Sequence, residues 1–316
     1  MMGRKADMRQ TASRRVLITG CSSGFGLLTA VRAAKEGFDV VATVRDLRRS
    51  EVLEHALEAA GTKATIDQMD VTDAGQIKRI AEKYSPLDVL VNNAGILVTG
   101  SFLDLSDQEV RQIFETNYFG AMALTRAVAG PMLERRQGRI INVASLAGIV
   151  GYPYNAAYAA SKHALIGFSQ SIRVELAPFG VEVISVEPGF HWTKILCSNA
   201  RVSEHFYDRQ NPLFEYNRGY LRAMTEEMLP WASRPETVAD CIVRLMSLPR
   251  PRGRYVIGRD ARVAMLCRWL GLMGWLERFV VHRIDRARRV EIARESRRKA
   301  GRRLQRQRRE EGVTTP

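Results

Sequence analysis

The chain has 316 residues, 46% of them hydrophobic, enough to bury one large core and better suited to one α/β domain with appendages than to two full domains. Its net charge of +14 is unevenly placed: residues 283–309 carry thirteen Lys/Arg against three Asp/Glu, a net of +10, so the remainder is close to neutral at about +4 and the basicity says little about the body of the protein. Four scattered cysteines (Cys21, Cys197, Cys241, Cys267) exclude a disulfide framework and a clustered metal site, and residues 1–15 are polar and basic rather than an export signal, so reduced thiols, no metal and a cytoplasmic location are expected.

From residue 14 onward, short β-branched runs alternate with longer amphipathic stretches, the pattern of βαβ units feeding a doubly wound parallel sheet. The first strand, 15–19, runs into Gly20-Cys-Ser-Ser-Gly24-Phe-Gly26, which opens a helix over 27–36. Glycines at such a turn let the backbone approach a pyrophosphate, and the helix N-terminus offers unpaired N–H groups and the positive end of its dipole. Gly20, Ser22, Ser23, Gly24, Phe25 and Gly26 are therefore candidate cofactor contacts. Taken alone, the spacing also fits a tight strand-to-helix turn; its position after the first strand of a βαβ unit favours the phosphate reading. The second strand, 39–43, ends at Val44-Arg45, where the ribose of an adenosine would lie. An arginine there suits a 2′-phosphate through forked, charge-assisted hydrogen bonds and points to NADP(H). The adjacent Asp46 would point to NAD(H) if the strand ended one residue later.

A helix over 50–60 and a strand over 64–68 lead to Asp70-Val71, and a helix over 74–83 and a strand over 89–92 lead to Asn92-Asn93-Ala94-Gly95. Both segments follow the carboxyl ends of strands, the edge at which open α/β sheets bind ligands. One long helix is expected over 106–134, then a strand over 138–143 closed by Ser145, a helix over 156–177, a strand over 181–187, a helix over 235–247 and a last strand over 254–257. Tyr158 and Lys162 lie four apart on the 156–177 helix and so share a face. Ser145, Tyr158 and Lys162 form a set with a chemical rationale. Hydride transfer to a carbonyl leaves negative charge on oxygen, and a free tyrosine near pKa 10 is too weak an acid to neutralise it unaided. A lysine ammonium one turn away stabilises the phenolate, and a serine hydroxyl holds the substrate oxygen beside it. A Tyr/Lys pair at this spacing is common on helix surfaces; joined to the glycine turn it becomes specific.

Together, residues 19–26, Asn92 to Gly95, Asn117, Ser145, Tyr158-x-x-x-Lys162 and Pro188-Gly189-x-x-x-Thr193 resemble the short-chain dehydrogenase/reductase family in order and spacing, over roughly residues 14–258. The resemblance implies a Rossmann-type domain in which Tyr158 is the acid/base, Lys162 also contacts the nicotinamide ribose, Ser145 positions substrate and Asn117 supports a proton-relay water. It further implies that Asp70 and Val71 hold adenine, that Asn92, Ala94 and Gly95 border the cofactor, and that Val186, Pro188, Gly189 and Thr193 flank the nicotinamide. Homodimers or homotetramers assembled through 106–134 and 156–177 would be usual. The segments Thr-Gly-Cys-Ser-Ser-Gly-Phe-Gly and Ala-Thr-Val-Arg-Asp-Leu are most similar to the hydroxysteroid and retinol dehydrogenase branch. Ala144 departs from a serine frequent in the family, and the bulky His191-Trp192 stands to narrow a pocket.

Within an N-terminal extension (1–13), a catalytic domain (14–262) and a C-terminal appendage (263–316), two segments break the strand-helix rhythm. Residues 190–231 are irregular and rich in aromatics and methionine, which suits a substrate lid over an apolar alcohol or ketone. Residues 263–281 are apolar but interrupted by Arg268, Glu277 and Arg278, too short between charges to span a bilayer. They either pack over the pocket, with the tail a solvated helix, or lie at a membrane surface with the basic tail adding attraction to anionic lipid. Nucleic-acid binding ranks third, since the tail has no aromatics for base stacking. The expectation is an NADP(H)-preferring oxidoreductase for a hydrophobic steroid-, retinoid- or lipid-like alcohol and its carbonyl. Its rival is a non-catalytic nicotinamide-nucleotide-binding regulator that uses the tail to contact a partner or membrane.

Overall fold

The computed structural model describes residues 13–193 and 201–310. The first half of the chain runs β1 (Arg15–Thr19), α1 (Gly24–Lys35), β2 (Asp39–Val44), α2 (Glu51–Ala59), β3 (Thr65–Gln68), α3 (Ala74–Lys83) and β4 (Val89–Asn92). It continues through β5 (Val98–Thr99), α4 (Asp107–Phe114), α5 (Gly120–Glu134), β6 (Gly138–Val143), α6 (Ala156–Leu176), β7 (Val181–Pro188) and β8 (Arg201–Val202). The C-terminal part contributes α7 (Phe214–Arg222), α8 (Glu236–Ser247), β9 (Arg254–Ile257), α9 (Arg259–Trp269) and α10 (Met273–Glu310). Seven strands pair in parallel in the order β3-β2-β1-β4-β6-β7-β9, a doubly wound sheet of Rossmann type, while β5 and β8 form a small separate pair.

The near-continuous apolar runs of the central strands follow from this layering. Successive side chains of a strand point to opposite faces, and here both faces are covered. In β1, Val16 and Ile18 enter a core shared with Ala30 and Ala33 of α1 and Ile242 of α8, whereas Leu17 enters a second core with Ile80 of α3 and Leu124 of α5. The β4 strand splits in the same way, with Val89 and Val91 on the first side and Leu90 on the second. After β3 the chain crosses back past β1 to build β4, so the direction of winding reverses between these two strands and opens a crevice at their carboxyl ends.

Two elements differ from the sequence expectation in ways that bear on the site. The helix expected to begin at residue 27 begins at Gly24, because the glycines of its first turn carry no apolar periodicity to announce it. The helix expected over 106–134 is continuous from 107 to 134 but contains a π turn at Glu115–Phe119, which places Asn117 in the interior. Its amide explains the departure: Oδ1 accepts from the Ile96 N–H (2.8 Å), and Nδ2 donates to the Ile96 carbonyl (3.0 Å) and to Ser161 Oγ (3.1 Å). One extra residue in the turn brings that side chain to those partners, a common use of π turns near functional sites.

The C-terminal segment is helical. Ala261 and Ala264 of α9 pack with Ile149, Val150, Leu165 and Ile166, and Met273 and Leu276 of α10 lie against the same cluster. Farther along, α10 is clamped to α7 by a network joining Arg218 to Glu291 and Glu295 and Arg222 to Glu291, and the guanidinium of Arg288 lies 4.4 Å from the centre of the Tyr216 ring. No described helix is long and apolar enough to cross a membrane.

Candidate active site

The first wall of the crevice is the turn after β1. Gly20 has φ +72°, and a Cβ there would stand 2.8 Å from Ala94 Cα, so only glycine fits between this turn and the one after β4. A Cβ on Gly26 would lie 2.4 Å from the Gly20 carbonyl oxygen and 2.5 Å from Asn93 Nδ2. The two turns are tied together: Thr19 Oγ1 accepts from the backbone N–H of Asn93 (3.0 Å) and Ala94 (2.9 Å), and Asn93 Nδ2 donates to the Thr19 carbonyl (2.8 Å). Ser23 occupies the N-cap of α1 in an extended conformation without capping the helix with its hydroxyl, so the first-turn N–H groups stay available to an anion. Among the residues singled out in sequence, Asn93 is the omission; only its position inside the Asn-Asn-Ala-Gly run could have signalled its part in joining the turns.

Along the rim, Arg45 follows the end of β2 with its side chain exposed, and its carbonyl accepts from Gln68 Nε2 at 3.2 Å. Asp46 caps the short turn Leu47–Arg49, accepting from the Arg48 N–H at 3.1 Å and pairing with the Arg48 guanidinium at 2.8 Å, which together hold its carboxyl below the usual range. Asp70 Oδ1 accepts from the N–H (2.9 Å) and hydroxyl (2.8 Å) of Thr72, while Val71 is buried beside the start of α5. Asn92 does not turn its side chain to the crevice. Its amide donates to Asn142 Oδ1 (2.8 Å) and Thr125 Oγ1 (3.0 Å) inside the sheet, so only its backbone remains to border a ligand.

The candidate catalytic residues gather where β6, α6 and β7 meet. Ser145 lies just beyond β6 and accepts from the Ala147 N–H at 3.1 Å, and it shares a hydrogen bond with Tyr158 from the first turn of α6. Lys162, one turn on, is buried, donates to the Val143 carbonyl at 2.9 Å and places Nζ 5.8 Å from the centre of the Tyr158 ring. Gly95 faces both Lys162 Nζ and Asn117 Oδ1, so the turn after β4 closes on the same point. Burial lowers Lys162 from its ordinary value to about 8. It also raises the Tyr158 phenol above its usual value, with the Ser145 hydrogen bond pulling it back down.

Ser145 and Tyr158 stand on the floor of a cleft of about 1060 Å³, open mouth included. Pro188, Gly189 and Thr193 form one side with Phe25, and Thr193 reaches to within 3.7 Å of the Cβ position of Gly24, bringing the segment after β7 over the glycine turn. The far wall comes from Leu97, Thr99, Tyr152 and Asn155, and the roof from Tyr220, Leu221, Met224 and Leu229. Of the segment 190–231, Phe190, His191, Thr193, Val202 and residues of the 220–229 stretch line the cleft, whereas Tyr207 and Trp231 do not; 194–200 fall outside the described residues. The lining is mainly apolar with few polar points, among them Asn155, whose amide donates to the Tyr220 hydroxyl at 2.8 Å. Of the bulky pair, His191 is buried in the wall with its ring edge-on to Phe25, whereas Trp192 is about half exposed. Asp260 of α9 accepts from the Phe190 N–H at 2.6 Å and so fixes the loop after β7, a contact across 70 residues that no local pattern reveals.

The arrangement joins a phosphate-ready glycine turn to a buried Lys and a Tyr/Ser pair under an apolar cleft. Comparison with known proteins agrees with it. Residues 14–201 match the family model described as short chain dehydrogenase. Retinol dehydrogenase 8 of Homo sapiens is 38% identical over 248 residues, 76% of this chain and 80% of that one. The NADPH-dependent 1-acyldihydroxyacetone phosphate reductase of Schizosaccharomyces pombe is 37% identical over 243 residues, covering 72% of this chain and 79% of that one. The crystal structure of a short-chain dehydrogenase from Streptomyces avermitilis superposes with a TM-score of 0.70 at 30% identity, over 92% of this chain and 98% of that one. The chain belongs to the short-chain dehydrogenase/reductase family and is an NAD(P)-dependent oxidoreductase, similar to the branch that holds retinol and hydroxysteroid dehydrogenases.

Proposed function

We propose that this protein is an NADP(H)-preferring dehydrogenase/reductase that interconverts a hydrophobic alcohol, of steroid-, retinoid- or lipid-like character, and its carbonyl, with Tyr158 as acid/base. The observation that carries the reading is that Ser145 and Tyr158, with Lys162 buried one helical turn on from Tyr158, line a mainly apolar cleft that also meets the glycine turn at Phe25.

The residues present fit a dinucleotide. The Gly20 and Gly26 positions admit no side chain, and the first turn of α1 is uncapped by Ser23, a cradle suited to a pyrophosphate. Arg45 is exposed at the ribose end, while Asp46 is committed to Arg48, which supports a 2′-phosphate over a bare ribose. Asp70 and Val71 would lie at the adenine, Ala94, Gly95 and the backbone of Asn92 along the cofactor, and Pro188, Gly189 and Thr193 at the nicotinamide. When bound, the nicotinamide supplies or accepts the hydride. In reduction, Tyr158 Oη gives its proton to the substrate oxygen as the hydride reaches the carbon; in oxidation, the phenolate takes that proton back. Ser145 Oγ holds the same oxygen beside Tyr158, and the Lys162 ammonium lowers the cost of the phenolate. Asn117 holds the Ile96 segment beside Lys162, and its backbone would seat the water through which the proton is resupplied. The relatives named for retinol and for an acyl ketone phosphate support an apolar substrate class.

The test is Tyr158→Phe. With NADPH and a panel of apolar ketones and aldehydes, turnover should fall by about a thousandfold or more, the upper range for loss of a general acid, while NADPH binding measured by nicotinamide fluorescence is retained. Full turnover by the variant would refute the assignment.

A further inference from the structure

The α9–α10 hairpin is inside out for a surface element. Along α9 the residues that face the body are small, Ala261, Ala264 and Cys267, while Val263, Leu266, Trp269 and Leu270 on the opposite side are half or more exposed, Trp269 to 81%. A helix that simply covers a soluble domain turns its large apolar residues inward. The exposed face continues across the Gly271 turn through Leu272 to Trp275, 62% exposed and stacked on Phe279 with ring centres 5.8 Å apart. A contiguous run of two tryptophans, a phenylalanine and several leucines marks an interaction surface rather than scattered exposure.

Charge indicates what covers it. Arg259 and Arg262 lie on the same side of α9 as Leu266, and Arg278 and Arg286 follow on α10; all four are exposed and unpaired among the described residues. Between residues 261 and 284, Glu277 is the only carboxylate. The helix then carries the strongly basic 283–309 segment. A second copy of the chain would bring the same positive charge to this face, which opposes self-association. Tryptophan, leucine and arginine side by side instead match a bilayer interface with anionic headgroups, where rings sit at the headgroup level and each arginine adds attraction.

We propose that the α9–α10 hairpin is a docking surface for an anionic lipid bilayer and that it holds the mouth of the cleft at the membrane surface. Leu272 and Trp275 are exposed, while their neighbours Met273 and Leu276 pack in the cluster that includes Phe190, a residue of the cleft wall. The lid helix α7, which supplies Tyr220 and Leu221 to the cleft, is held by α10 through Arg218, Arg222, Glu291 and Glu295. The docking hairpin therefore shares one apolar cluster with the cleft wall and an ion-pair network with the helix over the cleft.

The experiment is co-sedimentation of the full-length protein with vesicles of phosphatidylcholine alone and of phosphatidylcholine mixed with phosphatidylglycerol, at low and high salt. Binding to the anionic vesicles, weakened by salt, is expected, together with a blue shift of tryptophan fluorescence. The exposed-site variants Trp269→Glu/Trp275→Glu and Phe279→Glu should each reduce the bound fraction by about tenfold while keeping the parent melting temperature. Equal sedimentation of parent and variants would overturn the proposal. So would a vesicle-independent halving of the solution mass in the variants, which would assign the face to a second copy of the chain. Neither readout requires turnover, so failure here leaves the catalytic reading untouched, and a catalytic failure leaves the docking reading untouched.

Discussion

Replacing Arg45 by alanine separates the two cofactor readings. Arg45 stands exposed at the end of β2 with its backbone held by Gln68, and the neighbouring Asp46 is locked onto Arg48 by a 2.8 Å ion pair and a 3.1 Å backbone hydrogen bond. A hydrogen bond to a charged group contributes about 1.5–3 kcal/mol. Solvent screening at this exposed rim brings that to about 1–2 kcal/mol, a rise of roughly 5- to 30-fold in the dissociation constant of NADPH. NADH, lacking the 2′-phosphate, should bind the variant as it binds the parent. Titration of each protein with each nucleotide, followed by nicotinamide fluorescence, reads both quantities directly. Asp46→Ala serves as the counterpart: because its carboxylate serves its own turn, NADH affinity should not fall. Equal losses for NADPH and NADH in Arg45→Ala, or a collapse of NADH binding in Asp46→Ala, would refute the reasoning and move the ribose contact to the carboxylate.

The pH profile reports on Lys162. Burial places its pKa near 8 rather than at the ordinary value, so the ammonium is present below about 8 and lost above it; kcat/KM for carbonyl reduction should decline as pH rises through that value, and a profile flat into the alkaline range would contradict the assigned role. Gly26→Ala should lower the melting temperature and weaken cofactor binding, because its Cβ would lie 2.4 Å from the Gly20 carbonyl oxygen and overpacking of this kind costs about 1–3 kcal/mol; an unchanged melting curve would show that the two turns can separate freely.

Much of this molecule is legible in its sequence because the relevant signals are local. Strands buried on both faces announce themselves as apolar runs, and Tyr158 and Lys162 share a helix face by spacing alone. What sequence does not carry is chosen by tertiary contact. The π turn around Asn117 exists because its amide finds Ile96 and Ser161, and Asn92 looks like a crevice residue until Thr125 and Asn142 are seen to take its side chain. Asp260 reaches the loop after β7 from a helix whose apolar pattern suggests only a covering role. The apolar segment near 263–281 leaves two readings open in sequence because hydrophobicity does not say which face turns inward; the small Ala261, Ala264 and Cys267 turn out to face the body.

Away from the cleft, Asn92 donates to Thr125 and Asn142, Asn142 Nδ2 donates to Ser169 Oγ at 2.8 Å, and Ser169 donates to the Leu165 carbonyl at 2.6 Å. These polar pegs join β4, α5, β6 and α6 in an otherwise apolar interior, and sliding α6 by one turn would strand several of them unsatisfied. The register that sets Tyr158 opposite Ser145 is thus inherited from the foundation rather than from the loops above. The walls of the cleft come from other addresses in the chain, 97–99, 152–155 and 220–229. Such a division lets the walls be recut for a different apolar guest without disturbing the register of Tyr158 against Ser145 below.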